Sequence, residues 1–306
     1  MKKTILLFGA SSFVGSNILA ALKDEFRIVG TYHKTPVSIP GITCLPCDVL
    51  KKDYVNNLVA LTKPDFTIYA VGMSSLRQCH KEPKLADALN STGASYVCKA
   101  SERVGAKFIY LSSSYVLSGE DNLAKESDMP MPFTTYGNTV SSGEFYVQRS
   151  SINYLVLRSC PLYGRSYHHR RPNIFEFIQE KMSKGEPLPV DSSVKTGLLD
   201  VTLFARVLKN CLEKNITNRL LQVSSKDIVS HYEFAQMYSR IFRKSDSLIQ
   251  LQDELLPVEN PHRGSVKKPV FRMDITNLEA TLGLELPTVE ESLHFTHKRL
   301  NGKLAG

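Results

Sequence analysis

The chain has 306 residues, of which 42% are hydrophobic and 22% charged, a composition that excludes disordered, collagen-like and small disulfide-stapled chains and leaves room for roughly two ordinary domains. Lys and Arg number 38 against 30 Asp and Glu, a formal charge of +8 that suits phosphate-bearing ligands or nucleic acid without choosing between them. No run of about 18 apolar residues occurs, so no membrane span is expected, and the six scattered cysteines fit the reduced thiols of a cytoplasmic protein.

The N-terminal Lys2-Lys3 followed by Ile5–Phe8 has the outline of a signal peptide, but the apolar run is short and enters a Gly/Ser turn. It reads instead as a first strand, Thr4–Phe8. Gly9-Ala-Ser-Ser-Phe-Val-Gly15 then leads into a helix, Val14–Lys23. Such a strand, glycine turn and helix presents backbone N–H groups and a positive helix end to a pyrophosphate. Gly9 suits the tight turn and Gly15 the helix packing, with Ser11, Ser12, Phe13 and Val14 as the contacting stretch. The middle glycine of a GxxGxxG pattern is Ser12 here, so the segment reads equally as a glycine-capped βα turn.

A second strand, Arg27–Thr31, runs on to His33 and Lys34 with no Asp or Glu to hold an NAD ribose. Cationic Lys34, with His33, suits a 2′-phosphate or an ordinary solvated loop. At the end of a third strand, Thr43–Cys47, Asp48 can accept a hydrogen bond from an adenine amino group, beside Val49. Cys44 and Cys47 form a CxxC that lies along a strand and lacks the helix N-terminus that activates such thiols.

A helix at Asp53–Thr62, a strand at Phe66–Ala70 with the small-residue loop Ala70-Val71-Gly72, and a helix at Lys84–Val104 follow. The strand Lys107–Leu111 runs into Ser112-Ser113-Ser114, placing hydroxyls at the carboxyl end of a central strand, where open α/β sheets bind ligands. Serine clusters also serve plain turns. Tyr136 begins the next helical region, with a periodic stretch over Thr139–Ser150, and a sixth strand covers Tyr154–Arg158. Six strands with intervening helices predict an α/β fold, a Rossmann-type doubly wound parallel sheet.

From Tyr163 the character changes. Arg165–Arg171 is basic and irregular, and Asn173 precedes a helix, Ile174–Lys184, that stops at Gly185. A helix within Leu198–Asn215, a strand at Leu220–Val223, a helix at Ser230–Phe242, a loop at Pro257–Lys268 and a helix at Val289–Leu300 complete the chain. The expected division is a cofactor-binding part, 1–163 with 196–224, and a smaller α+β substrate-binding part, 164–195 with 225–306. Asn173 can cap its helix or turn that helix end towards a diphosphate, and Arg165 can clamp the same group or stay solvated. Tyr167, His168 and His169 lack the carboxylate or cysteine partners of a metal site, so no metal is expected.

Taken in order, Gly9–Gly15, Asp48, Pro64–Gly72, Asn90-Ser-Thr, Ser112–Gly119 and Tyr136-Gly-Asn-Thr-x-x-x-Gly-Glu144 resemble the extended short-chain dehydrogenase/reductases. Within that superfamily the chain is most similar to the dTDP-4-dehydrorhamnose reductases and their relatives. Tyr163-Gly, Asn173-Ile-Phe, Ser230–Ala235 and Lys268–Asp274 extend the likeness over nearly the whole length. The resemblance implies NADP(H) as cofactor, with NAD(H) as the alternative, and a nucleotide-linked keto sugar as substrate. It implies Tyr136 as proton donor, Ser113 as the hydroxyl that holds the carbonyl oxygen, and Ser114, Asn173 and Arg165 beside the substrate. A homodimer is the commonest assembly for such chains; nucleic acid and membrane partners are not expected. Related enzymes carry out epimerisation or dehydration at the same site.

One position departs from the pattern. The family's lysine, one helical turn after the tyrosine, is Val140 here, and none of residues 141–144 is cationic. The sequence therefore admits either a reductase whose tyrosine lacks its usual electrostatic partner or a dinucleotide-binding regulatory or interaction protein that has lost efficient chemistry.

Overall fold

The structure, a computed structural model, describes residues 2–150, 153–167, 172–252 and 268–302. The expectations for His168 and His169, for the end of the basic run and for most of the Pro257–Lys268 loop lie outside these residues.

The strands, in chain order, are β1 (Thr4–Phe8), β2 (Arg27–Tyr32), β3 (Thr43–Pro46), β4 (Phe66–Tyr69), β5 (Lys107–Ser113), β6 (Leu123–Ala124), β7 (Tyr154–Ser159), β8 (Leu162–Tyr163), β9 (Leu188–Val190), β10 (Lys195–Thr196), β11 (Leu199–Asp200), β12 (Arg219–Val223), β13 (Ile249–Leu251) and β14 (Val270–Met273). The helices are α1 (Phe13–Leu22), α2 (Lys52–Thr62), α3 (Leu76–Lys81), α4 (Pro83–Asp87), α5 (Gly93–Arg103), α6 (Thr135–Gln148), α7 (Ile174–Lys184), α8 (Val201–Glu213), α9 (His231–Phe242), α10 (Thr276–Leu282) and α11 (Val289–Leu300). Among them no helix is long and apolar enough to cross a membrane.

Seven strands form one parallel sheet in the order β12-β7-β5-β4-β1-β2-β3. This is the Rossmann-type doubly wound arrangement expected, with β12 as a seventh strand beyond the six. The chain reverses its direction of winding between β1 and β4, and such a switch point opens a crevice at the carboxyl ends of the strands. Ile5, Leu6, Leu7 and Phe8 are fully buried, as a central parallel strand covered on both faces requires.

A second core gathers Tyr163, Phe175, Ile178, Phe234, Tyr238 and Leu293 from α7, α9, α11 and β8. Residues of β14 and α10, including Phe271, Met273 and Leu278, join the first core instead, so the C-terminal segment packs against both.

The expected long helix at Lys84–Val104 is broken: α4 and α5 are separated by a π-turn at Ala88–Thr92, and α3 precedes them. The π-turn leaves Asn90 buried and able to fasten two elements. Its Nδ2 donates to the Met73 carbonyl (3.1 Å) and to Thr139 Oγ1 (2.9 Å), while its Oδ1 accepts from Met73 N–H (2.8 Å). This ties the loop after β4 to α6. Helix α6 starts four residues earlier than the expected stretch because the Thr134 hydroxyl caps it, accepting from Gly137 N–H at 3.1 Å.

Glu144, two turns after Tyr136, anchors α6 from below. Its carboxylate accepts from Arg158 Nε (2.9 Å) and Nη2 (2.8 Å) on β7 and from the Ser112 hydroxyl on β5. Both charged side chains are only 1% exposed. Removing one partner of such a pair strands the other charge in the interior, at about 3–5 kcal/mol. Glu144→Ala should therefore lower the unfolding free energy by about that much in a urea titration, and adding Arg158→Met should recover much of the loss.

Candidate active site

The turn after β1 is shaped by close backbone contacts. Gly9 has φ +97°, and a Cβ there would lie 2.5 Å from the Ala70 carbonyl oxygen; at Gly15 a Cβ would lie 2.2 Å from the Gly9 oxygen. No side chain fits at either place. Ser12, at the position of the missing glycine, is the N-cap of α1: its hydroxyl accepts from Gly15 N–H at 2.9 Å. The serine therefore completes the turn by capping it, and the first-turn amides of α1 have no intrahelical carbonyl to meet. This is the geometry that receives an anion.

Two cavities open from this turn and share Ser12, Ala70, Val71 and Gly72. One, of about 180 Å³, extends towards β2 and β3 and is lined by Gly9, Ser11, Thr31, His33, Asp48 and Val49 among others. His33 Nε2 stands 3.8 Å from Asp48 Oδ2 at its mouth, and Asp48 Oδ1 accepts from Leu50 N–H at 3.0 Å. Lys34 is exposed and does not line the cavity.

The other cavity, of about 210 Å³, runs under the carboxyl ends of β4, β5 and β7 and is lined by Phe13 and Val14 of α1, Tyr69, Tyr110, Tyr136 and Val140, with Ser112, Ser159 and Phe204 on its further walls. The Tyr136 and Ser113 side chains are neighbours, so the two residues expected to act together are brought together. Burial raises the Tyr136 phenol above its ordinary value, and the nearby Ser113 hydroxyl opposes the rise only in part. Val140 is 4% exposed and forms part of the cavity wall one turn along α6. Among the described residues no Lys, Arg, His, Asp or Glu lines this cavity, and no group of three or more potential metal ligands is found.

The expected substrate contacts are less concentrated. Asn173 caps α7 in a full capping box with Glu176. Its Oδ1 accepts from Phe175 N–H (3.1 Å), and its Nδ2 donates to the Gly164 carbonyl (2.8 Å) and to Glu176 (2.8 Å). Its side chain is thus engaged locally, and it borders neither cavity. Arg165 is exposed, and its backbone carbonyl accepts from Asn17 Nδ2 at 3.1 Å. Ser114 is fully buried, and its hydroxyl has no partner among the described residues. Tyr69, Tyr110 and Phe204 escaped sequence reasoning: each reads as ordinary core, and only the fold brings Phe204 of α8 beside α1.

The family model for the RmlD substrate binding domain matches residues 1–301. The chain belongs to the RmlD substrate binding domain family. It is 23% identical over 293 residues to the probable low-salt glycan biosynthesis reductase Agl14 of Haloferax volcanii, covering 93% of this chain and 94% of that protein. It is 24% identical over 243 residues to methionine adenosyltransferase 2 subunit beta of Pongo abelii, covering 78% and 70% respectively. The dTDP-4-dehydrorhamnose reductase of Bacillus anthracis, solved in complex with NADP, superposes with a TM-score of 0.82 at 21% identity, over 98% of this chain and 99% of that one.

In this RmlD-family chain Tyr136 remains a neutral phenol through the neutral range. Because its folded pKa is raised, its contribution to stability is complete below the unfolded value near 10 and is lost as pH rises towards the folded value. Alkaline absorbance titrations of wild type and Tyr136→Phe should differ by a phenolate step only above about pH 10. A step near neutrality would mean that a cation reaches the ring.

Proposed function

We propose that the protein is a cytoplasmic NADP(H)-dependent reductase of a nucleotide-linked 4-keto-6-deoxysugar. The observation that carries this reading is the approach of Tyr136 on α6 to Ser113 at the end of β5, beside a cavity continuous with the Gly9–Gly15 turn. Family membership supports it, as do the reductase names of relatives. In this reading residues 1–163 and 196–224 hold the cofactor, while 164–195 and 225–306 cover the sugar.

The dinucleotide fits the residues present. The close approach of Gly9 to Ala70 leaves room for backbone alone, the cavity with His33 and Asp48 takes the adenosine half, and the cavity with Tyr136 takes the nicotinamide half. His33, with Lys34 nearby, suits a 2′-phosphate. When bound, the reduced cofactor supplies the hydride.

The chain's own part is positioning and proton transfer. Ser113 donates to the substrate carbonyl oxygen and holds it against Tyr136. As negative charge develops on that oxygen, the Tyr136 phenol releases its proton to it, forming the alcohol and leaving a phenolate. A cation beside the phenol would stabilise that phenolate, and Val140 supplies none.

A second reading rests on that residue: a dinucleotide-binding regulatory or interaction subunit with little turnover. The relative named as a subunit, methionine adenosyltransferase 2 subunit beta, is consistent with it.

Adding a dTDP-4-keto-6-deoxysugar should make NADPH fluorescence fall, and Tyr136→Phe should abolish the fall. Val140→Lys should raise the turnover rate at least about tenfold, in line with the cost of lost electrostatic stabilisation. NADPH binding without turnover on any keto sugar, together with a stable complex with another protein, would favour the second reading.

A further inference from the structure

Among the described residues that line the cavity running towards β2 and β3, the ionisable ones are Tyr32 and His33 at the end of β2 and Cys47 and Asp48 at the end of β3. The turn after β1 and the loop after β4 bring only glycine, serine, alanine and valine to it. A phenol and a thiol are neutral or negative and never cationic, and burial, with the neighbouring Asp48, pushes the Cys47 thiol up to about 11. Lys34, next to His33 in the chain, is exposed and lies outside the lining. Positive charge on the wall of this cavity is therefore the charge of one imidazole.

His33 stands one residue beyond β2, where a Rossmann-type sheet meets the adenosine ribose. Its Nε2 lies 3.8 Å from Asp48 Oδ2, and more than half of its side chain is exposed, within reach of solvent protons. Histidine is the side chain whose charge ordinarily changes between about pH 5 and 8. Protonated, the ring donates a charge-assisted hydrogen bond to a phosphate and offsets the carboxylate beside it. Neutral, it leaves Asp48 to present an uncompensated negative charge to whatever occupies the mouth. A phosphate dianion responds strongly to that difference, and a ribose hydroxyl responds weakly.

We propose that His33 makes the choice between the phosphorylated and the unphosphorylated dinucleotide depend on pH, with a preference for NADP+ over NAD+ that fades as pH rises through the histidine range. The proposal rests on the dinucleotide reading of the two cavities and deepens it by naming what controls the cofactor taken. The two dinucleotides share their nicotinamide, pyrophosphate and adenine and differ only in the 2′-phosphate, so the ratio of their affinities isolates this group. The sign follows from linkage: the dianion stabilises the protonated ring, a proton is taken up with NADP+, and rising pH opposes that uptake. A lysine or arginine on this wall would keep its charge and give a fixed preference, whereas a histidine gives one that acidity adjusts.

Isothermal titration calorimetry of the full chain with NADP+ and, separately, with NAD+ at several pH values from about 6.5 to 8.5 provides the test. A phosphate monoester loses its second proton near pH 6, so the ligand is largely dianionic throughout and the trend belongs to the protein. In wild type the ratio of the NAD+ to the NADP+ dissociation constant should fall by about fivefold or more across this range. His33→Lys should hold the ratio high and His33→Gln should hold it low, both without the fall, and Lys34→Gln should leave the wild-type fall in place. A wild-type ratio that stays flat, a fall that survives in either His33 variant, or one that disappears in Lys34→Gln would overturn the proposal. Each of those outcomes leaves the dinucleotide reading standing, whereas failure of wild type to bind either dinucleotide would remove that reading and the proposal together.

Discussion

Helix α6 can present Tyr136 to the crevice only because Glu144, two turns later, is locked to Arg158 and Ser112. A carboxylate and a guanidinium, each 1% exposed, tolerate that burial when their bonds are direct and paired. The contact joins α6 to β7 and β5 at once, fixing both the height and the rotation of the helix. Asn90 adds a second tie, from the π-turn to Thr139 and to the loop at Met73. With these two in place, the tyrosine, the valine and the loop that walls both cavities form one rigid unit.

The cofactor side of the crevice depends on a different kind of constraint. Around Gly9, Gly15 and Ala70 the backbone approaches so closely that no Cβ can enter, and Ser12 secures the start of α1 by capping. None of these contacts involves α6. In the proposed reading, pyrophosphate binding and proton transfer therefore rest on separate parts of the fold, and a change at position 140 alters the second without loosening the first.

How far the sequence revealed this arrangement depends on whether the signal was local. Strands such as Thr4–Phe8 and the helix Val289–Leu300 were legible because their apolar spacing and flanking caps lie within a few residues. The Asn173 cap was legible from its place just before the helix Ile174–Lys184, and Glu176 three residues on completes a capping box in the structure. The break at Ala88–Thr92 was not, since a π-turn is held by tertiary bonds such as Asn90 to Met73 and has no composition of its own. Nor were the aromatic walls: Tyr69 and Tyr110 alternate within strands as core residues do, and Phe204 reaches the cavity from α8, far along the chain. Ser113 and Tyr136 were legible as a pair through family resemblance, and the fold places the serine hydroxyl near the phenol.

Val140 shows why a substitution can be drastic chemically and mild structurally. Position 140 faces the sheet, is 4% exposed and packs within the first core, an environment in which valine buries apolar surface without strain. A lysine there must aim its ammonium into the cavity and find acceptors. Tyr69 and Tyr110 have already committed their hydrogens to carbonyls, leaving lone pairs that such an ammonium could use. Valine at position 140 thus leaves the packing of α6 undisturbed while supplying no charge that would favour a phenolate at Tyr136.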